Sequence, residues 1–295
     1  KDSKHKKDKD QPHLWKSLHG NADAFEIIRE AVNNPERLNL VVTKDSASEE
    51  RIFNALSFLA PQSFKESIMR LPSWETLPYD LFSPHQDIIS ERLSSLYSLV
   101  SKPKGILLMS AHTMLQRIAP IEYIAGSAFV FEIGDKVILE DQKITLESAS
   151  YRRADIVTEK GQYASRGSIL DIYPMGNELP LRLDLFDDEI ESIRSFDPVS
   201  QLTIENLHNF NALPAKEFPF DENAIRKFRE NWHNNFQGDV RRSSIYQDVS
   251  NYISPNGIEF YLPFFFEQTS SIFDYLQQDA HVILELSLIH ISEPT

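Results

Sequence analysis

At 295 residues the chain is long for a single hydrophobic core, and two domains of roughly 150 residues each are expected. Its 44 acidic against 30 basic residues give a net charge of −14, a poor balance for a stand-alone nucleic-acid binder, whose affinity comes from Lys and Arg that displace counterions. The lack of any cysteine excludes disulfide frameworks, zinc ribbons, iron-sulfur clusters and thiol catalysis; no apolar run approaches the ~20 residues needed to span a bilayer, and a cytoplasmic location is the default expectation.

The opening KDSKHKKDKD has no apolar segment of the signal-peptide kind, and residues 1–13 read as a flexible leader. From Asn21, a suitable N-cap, Phe25, Ile28 and Val32 recur at helical spacing until Asn33-Asn34-Pro35. LNLVVT (38–43) reads as a strand, and Ser46-x-x-Glu49 then opens, in a capping-box pattern, a helix carrying Ile52, Leu56 and Leu59 and ended by Pro61. A strand over 67–71 leads into the loop WETLPYD. Next, Ser83-Pro84-His85-Gln86 offers an N-cap, a first-turn proline and a box-closing glutamine for a helix that packs Ile89, Leu93, Leu96 and Val100. GILLMS (105–110) is apolar throughout, as in a strand covered on both faces, so residues 14–125 read as an α/β layer on a largely parallel sheet.

After Pro120 the apolar period shortens to two. Between Ala128 and Phe210 turn signals fall at Ile133-Gly134-Asp135, Pro174-Met175-Gly176-Asn177 and Asp187-Asp188, which predicts a small antiparallel sheet with a short helix over Leu146–Arg152 in a separate domain, 126–213. Helical spacing returns with Asp221 as cap and Ile225, Phe228, Trp232 and Phe236 on one face, and a last strand begins at His281. Residues 214–286 are therefore expected to complete the first domain, making the middle one an insertion between two halves of one α/β unit; 287–295 read as a non-native tail.

The search for chemistry finds no active site. The nine glycines form neither G-x-x-x-x-G-K-[ST] nor G-x-G-x-x-G, and LHGNADAF before the first helix has one glycine and no lysine. LDLFDDE imitates a magnesium-binding strand end but reads better as a turn of solvated acids. The histidines show no metal spacing: His85 does not share a helical face with Asp87 and Glu91. No G-x-S-x-G elbow is present. No catalytic, cofactor-binding or metal-binding residue is therefore expected.

Binding features say more. In LRLDLF the two-residue period puts Leu181, Leu183 and Leu185 on one face and Arg182, Asp184 and Phe186 on the other, so an aromatic ring sits beside an arginine on the polar face. Arg and aromatic residues anchor protein interfaces. Arg166 is expected to enter the neighbouring strand SILDIY close to Arg182, and Arg194 lies on the strand after the Asp187-Asp188 turn; its face stays open because Ile190 and Ile193 have opposite parity and a bulge may intervene. Three arginines on one sheet would make a positive island suited to an acidic partner and to electrostatic steering. Arg152 and Arg153 either extend that island or solvate a helix end, and FYLPFFF (260–266) reads as core, with an interface to further parts of a longer protein as the alternative.

The blocks WETLPYD, FSPHQDI, YASRG, YPMG, RLDLFDDEI with its R-x-F-D, and GIEFYLPFFF occur in an order that resembles the N-terminal, UvrB-like region of the bacterial transcription-repair coupling factor (Mfd) family, from about Leu14 to about Leu284. The resemblance implies a degenerate RecA/helicase-like parallel-sheet unit (UvrB-like domains 1a and 1b) split by an inserted α+β, mainly antiparallel domain that binds UvrA. It implies Arg166, Arg182, Phe186 and, less securely placed, Arg194 as UvrA contacts. RNA polymerase, double-stranded DNA, ATP and magnesium would be engaged by parts of the family protein beyond this chain, and a C-terminal domain would mask the docking face. The sequence departs from UvrB in lacking a phosphate loop and an aromatic β-hairpin, so the expected role is non-catalytic recruitment. The alternatives are a UvrB-type ATPase or damaged-DNA-binding fragment, and a scaffold whose main contact is internal through FYLPFFF.

Overall fold

The computed structural model describes residues 15, 18–77, 80 and 82–285, so the expected leader and tail lie outside the described residues. In chain order, the first part runs α1 (Ala22–Asn33), β1 (Leu38–Thr43), α2 (Ser46–Leu59), β2 (Ile68–Arg70), α3 (Gln86–Ser101), β3 (Gly105–Ser110) and the short helices α4 (Ala111–Met114) and α5 (Ile121–Gly126). There follow β4 (Phe129–Glu132), α6 (Leu139–Ser148), β5 (Arg152–Arg153), β6 (Gln162–Arg166), β7 (Ile169–Ile172), β8 (Leu181–Phe186), β9 (Glu189–Phe196), β10 (Thr203–Leu207) and β11 (Asn209–Ala212). The last part holds α7 (Glu222–Asn235), α8 (Ser244–Ser250), a 3-10 segment over Ile258–Phe265, α9 (Ile272–Tyr275) and β12 (His281–Leu284).

A parallel sheet in the order β12-β1-β3-β2 forms the first layer system. Every residue of β1 and β3 is buried, as continuous apolar runs require when both faces are covered. Leu40, Val42, Leu107 and Met109 face Ile89, Leu93 and Leu96 of α3, while Val41, Ile106 and Leu108 face α1 and α2. β12 pairs with β1 in register Leu40 to Val282, so the chain returns after the middle strands to extend the sheet it began. The fold is thus a UvrB-like α/β unit with an inserted α+β part.

The inserted part is an antiparallel sheet in the order β10-β9-β8-β7-β6-β5, in which β5 alone runs parallel to its neighbour, with β4 and β11 paired as a separate ribbon. Leu170, Ile172, Leu181, Leu183, Leu185, Ile190 and Ile193 line its inner face and belong to the same apolar cluster as Leu93 and Leu96 of α3. The YPMG turn is seated on α3 through the Gly176 amide, which donates to Ser90 Oγ at 2.8 Å, and the segment before β6 meets the same helix through Lys160, 3.2 Å from Asp87. A second cluster gathers Ile225, Phe228 and Trp232 of α7, Leu262 and Phe265 of the FYLPFFF segment, and Trp74 of WETLPYD; Phe265 stacks on Phe218 with centroids 4.5 Å apart. The aromatic block is chiefly core.

Several local expectations are corrected. On α1 the buried stripe is Ala24, Ile27, Ile28 and Ala31, while Phe25 and Val32 are 55% and 42% exposed. The cap of α2 is Asp45 rather than Ser46, its carboxylate accepting from the Ser48 amide at 2.8 Å, and Glu49 is buried against Arg70 instead of closing a box. Leu59 is exposed. His85, not Ser83, caps α3; Ser83 turns to Glu259 (2.9 Å) and the Gly257 amide. The helix predicted over 146–152 begins seven residues earlier, at Leu139, and ends at Ser148, leaving Arg152 and Arg153 on the edge strand β5. Among the described residues no helix is long and apolar enough to cross a membrane.

Candidate docking interface

Strand pairing fixes the outer face of the antiparallel sheet. Gly167, with φ of +60°, closes the β6–β7 turn, so Arg166 ends β6 opposite Ile169 instead of entering β7. One cross-strand row then runs Arg166, Ile169, Asp184, Ser192, and the next runs Ala164, Asp171, Arg182, Arg194, Asn206. Directly opposed residues share a face, so both rows lie on the side away from the leucines. Arg166 is therefore separated from Arg182 by the whole of β7.

The face of Arg194 follows from a bulge. Leu183 pairs with Ile193 but Leu185 pairs with Ile190, so Glu191 is the extra residue of β9. Both isoleucines can then face inward despite their odd separation, and Arg194 comes directly opposite Arg182. Phe186 completes the outer side of β8 and is 70% exposed, beside the Asp187-Asp188 turn.

The arginines do not form a bare positive island. Arg182 donates from Nε and Nη2 to the two oxygens of Asp171, at 2.7 and 2.8 Å, and its guanidinium lies 4.7 Å from the ring centre of Phe196. The bonds to Asp171 push its pKa above the ordinary arginine value. Arg194 donates to Asp184, which also accepts from Ser192 Oγ at 2.7 Å, and Arg166 donates to the Asp155 carbonyl. Sequence reasoning placed Asp184 on this face but missed Asp171, and it missed both acids as partners of the arginines. Their signal was present, since both share the outward parity of their strands, but their partners depend on register. Arg152 belongs to the same side at the β5 edge, 3.6 Å from Glu159.

The model of the UvrB interaction domain family matches residues 129–218, the segment that contains all of these positions. The transcription-repair-coupling factor of Haemophilus influenzae is 42% identical over 259 residues, 87% of this chain and 22% of its own length. That of Escherichia coli is 44% identical over 237 residues, 80% of this chain and 20% of its own. The chain corresponds to a UvrB-like part of transcription-repair-coupling factors. It spans about a fifth of the length of these relatives, and the Bacillus subtilis factor, 28% identical, matches over a similar share.

His19 and Gly20 of LHGNADAF precede α1, and β1 leads into α2 at Thr43–Ser46. There the Asp45 carboxylate sits on the helix N-terminus, its bonds to Ser48 holding its pKa below the ordinary carboxylate value. A phosphate at the N-terminus of α2 would meet that negative charge. Among the described residues no group of three His, Asp or Glu is arranged to hold a metal.

Proposed function

We propose that this chain is the docking module with which a transcription-repair-coupling factor recruits UvrA, presenting a UvrB-like surface without UvrB catalysis. The observation that carries this reading is the outer face of the UvrB-interaction segment, where a solvent-exposed Phe186 shares one side of β8 with Arg182, whose guanidinium Asp171 holds in a fixed orientation. An exposed aromatic with ordered arginines is the composition of an interface anchor, and it has no role in the core. The parts outside this chain would contact RNA polymerase and double-stranded DNA and use ATP with magnesium, and a C-terminal domain of the longer protein would cover the face. Residues 14–125 and 214–286 are assigned to UvrB-like domains 1a and 1b and residues 126–213 to the UvrA-binding insertion, with no cofactor in this piece and a cytoplasmic setting.

Calorimetric titration with UvrA tests the reading. Wild type is expected to bind, and Phe186→Ala and Arg182→Gln each to cost about 2 kcal/mol, roughly thirtyfold in affinity. Glutamine is preferred to glutamate at position 182 because a second carboxylate would be placed against Asp171. Folded wild type that does not bind UvrA overturns the proposal. Thermal stabilisation by ATP and magnesium would favour the UvrB-type ATPase reading.

A further inference from the structure

We infer that Asp171 and Asp184 are positioning residues of the docking face: they aim Arg182 and Arg194 so that the partner meets directional hydrogen-bond donors rather than a diffuse positive field. The inference rests on the docking reading above and specifies how that site recognises its partner. Arg182 and Arg194 are directly opposed on neighbouring strands, an arrangement in which like charges repel. Each is held by an acid on the same face, Arg182 by the bidentate contact to Asp171 and Arg194 by Asp184. Asp171 is itself buried, and Phe196 lies against one face of the Arg182 guanidinium.

With Nε and one Nη2 hydrogen engaged, Arg182 keeps both Nη1 hydrogens and the second Nη2 hydrogen for a partner acceptor. The rotamer freedom of this long side chain is already lost on folding, so docking need not order it. Long-range attraction is a poor alternative explanation, because exposed Asp187, Asp188, Glu189 and Glu191 surround Phe186 and offset the arginines. The partner chemistry that fits is a set of carboxylate or carbonyl acceptors placed at the guanidinium edges, with an apolar seat for Phe186.

The test is a double-mutant cycle in UvrA binding, followed by surface plasmon resonance with the whole 295-residue chain. Asp171→Ala is expected to weaken binding about tenfold, mainly through faster dissociation, although it makes the face more positive. Asp171→Asn, which keeps the shape and one acceptor, should fall between. In an Arg182→Ala background Asp171→Ala should cost nothing further, because its effect passes through Arg182. If Arg182→Ala weakens binding while Asp171→Ala leaves it unchanged or strengthens it, simple charge attraction holds and this inference fails while the docking reading stands. Equal losses from Asp171→Ala in both backgrounds assign the aspartate a folding role only and also overturn the inference. A folded wild type that does not bind UvrA removes the docking reading and this one with it.

Discussion

Arg92 is fully buried, and its charge is answered from several directions. Nε and Nη2 grip the two oxygens of Glu217 at 2.6 and 3.1 Å, Nη1 donates to the Pro72 carbonyl at 2.6 Å, and Trp74 Nε1 also donates to Glu217, at 3.0 Å. This network joins α3, the WETLPYD loop and the segment that follows the insertion. Glu217→Ala leaves a buried cation without its counterion and should cost about 3–5 kcal/mol, whereas Arg92→Met with Glu217→Leu should cost much less; urea unfolding at pH 7 separates the two cases. Glu259 makes a pH-dependent contribution. Burial pushes its carboxyl above the ordinary 4.5, with Lys216 and Ser83 partly countering the shift. A group whose pKa is raised on folding stabilises the native state fully below its unfolded value, and that stability is lost as pH rises through the folded value. From about pH 4.5 toward neutrality, therefore, the urea midpoint of wild type should decline relative to that of Glu259→Gln; parallel profiles would show that Glu259 titrates alike in both states.

At the scale of elements, Gly257 shows how two sequence blocks lock together. Its φ is +77°, and a Cβ there would come within 2.5 Å of the Asp80 carbonyl, so the end of WETLPYD is packed directly on the turn that opens the FYLPFFF segment. Gly257→Ala should destabilise the chain by about 3 kcal/mol, combining backbone strain with a clash that side-chain rotation cannot relieve, and chemical denaturation reads the loss. The same scale shows what the sequence could reveal. The parity of LRLDLF sorted Arg182 and Phe186 from three leucines correctly, because a strand period of two leaves no freedom. The buried runs of β1 and β3 were equally plain. The α1 face was misread by following the largest apolar residues, since the buried stripe includes Ala24 and Ala31, which are small enough to let the helix pack closely on its neighbours. Caps slipped by one or two residues because Asp45, Ser46, Ser83 and His85 are all competent N-caps or acceptors, and tertiary partners decide among them. The acids that hold the docking arginines were not legible, because Asp171 meets Arg182 only through register, just as Arg92 meets Glu217 across 125 positions.

For the molecule as a whole, the insertion and the parallel unit share one interior. Leu93 and Leu96 of α3, Leu146 and Tyr163 of the inserted part, and Leu183 and Ile193 under the docking face belong to a single apolar cluster. A shared core couples the stability of its parts, so the two sheets are expected to melt in one calorimetric transition. Two resolved transitions, one assigned to each sheet by site-specific fluorescence, would contradict this. The docking face thus stands on a platform buttressed by α3, which suits an interface that relies on fixed side-chain directions.

The return of β12 to the side of β1 has a consequence for how the chain is made. Asn39 and His281 are 242 positions apart, yet they are register partners. During vectorial synthesis the local hairpins of the insertion can close as soon as they emerge, while the flank of β1 waits for a strand that leaves the ribosome almost at the end of the segment. Until then, that flank is an unprotected sheet edge beside a buried-type apolar strand, the state most prone to pairing with the wrong chain. Completion of the parallel sheet is therefore a late, high-contact-order step, and slow codons or chaperone capture just after the insertion would act on β1, which is translated long before its partner β12.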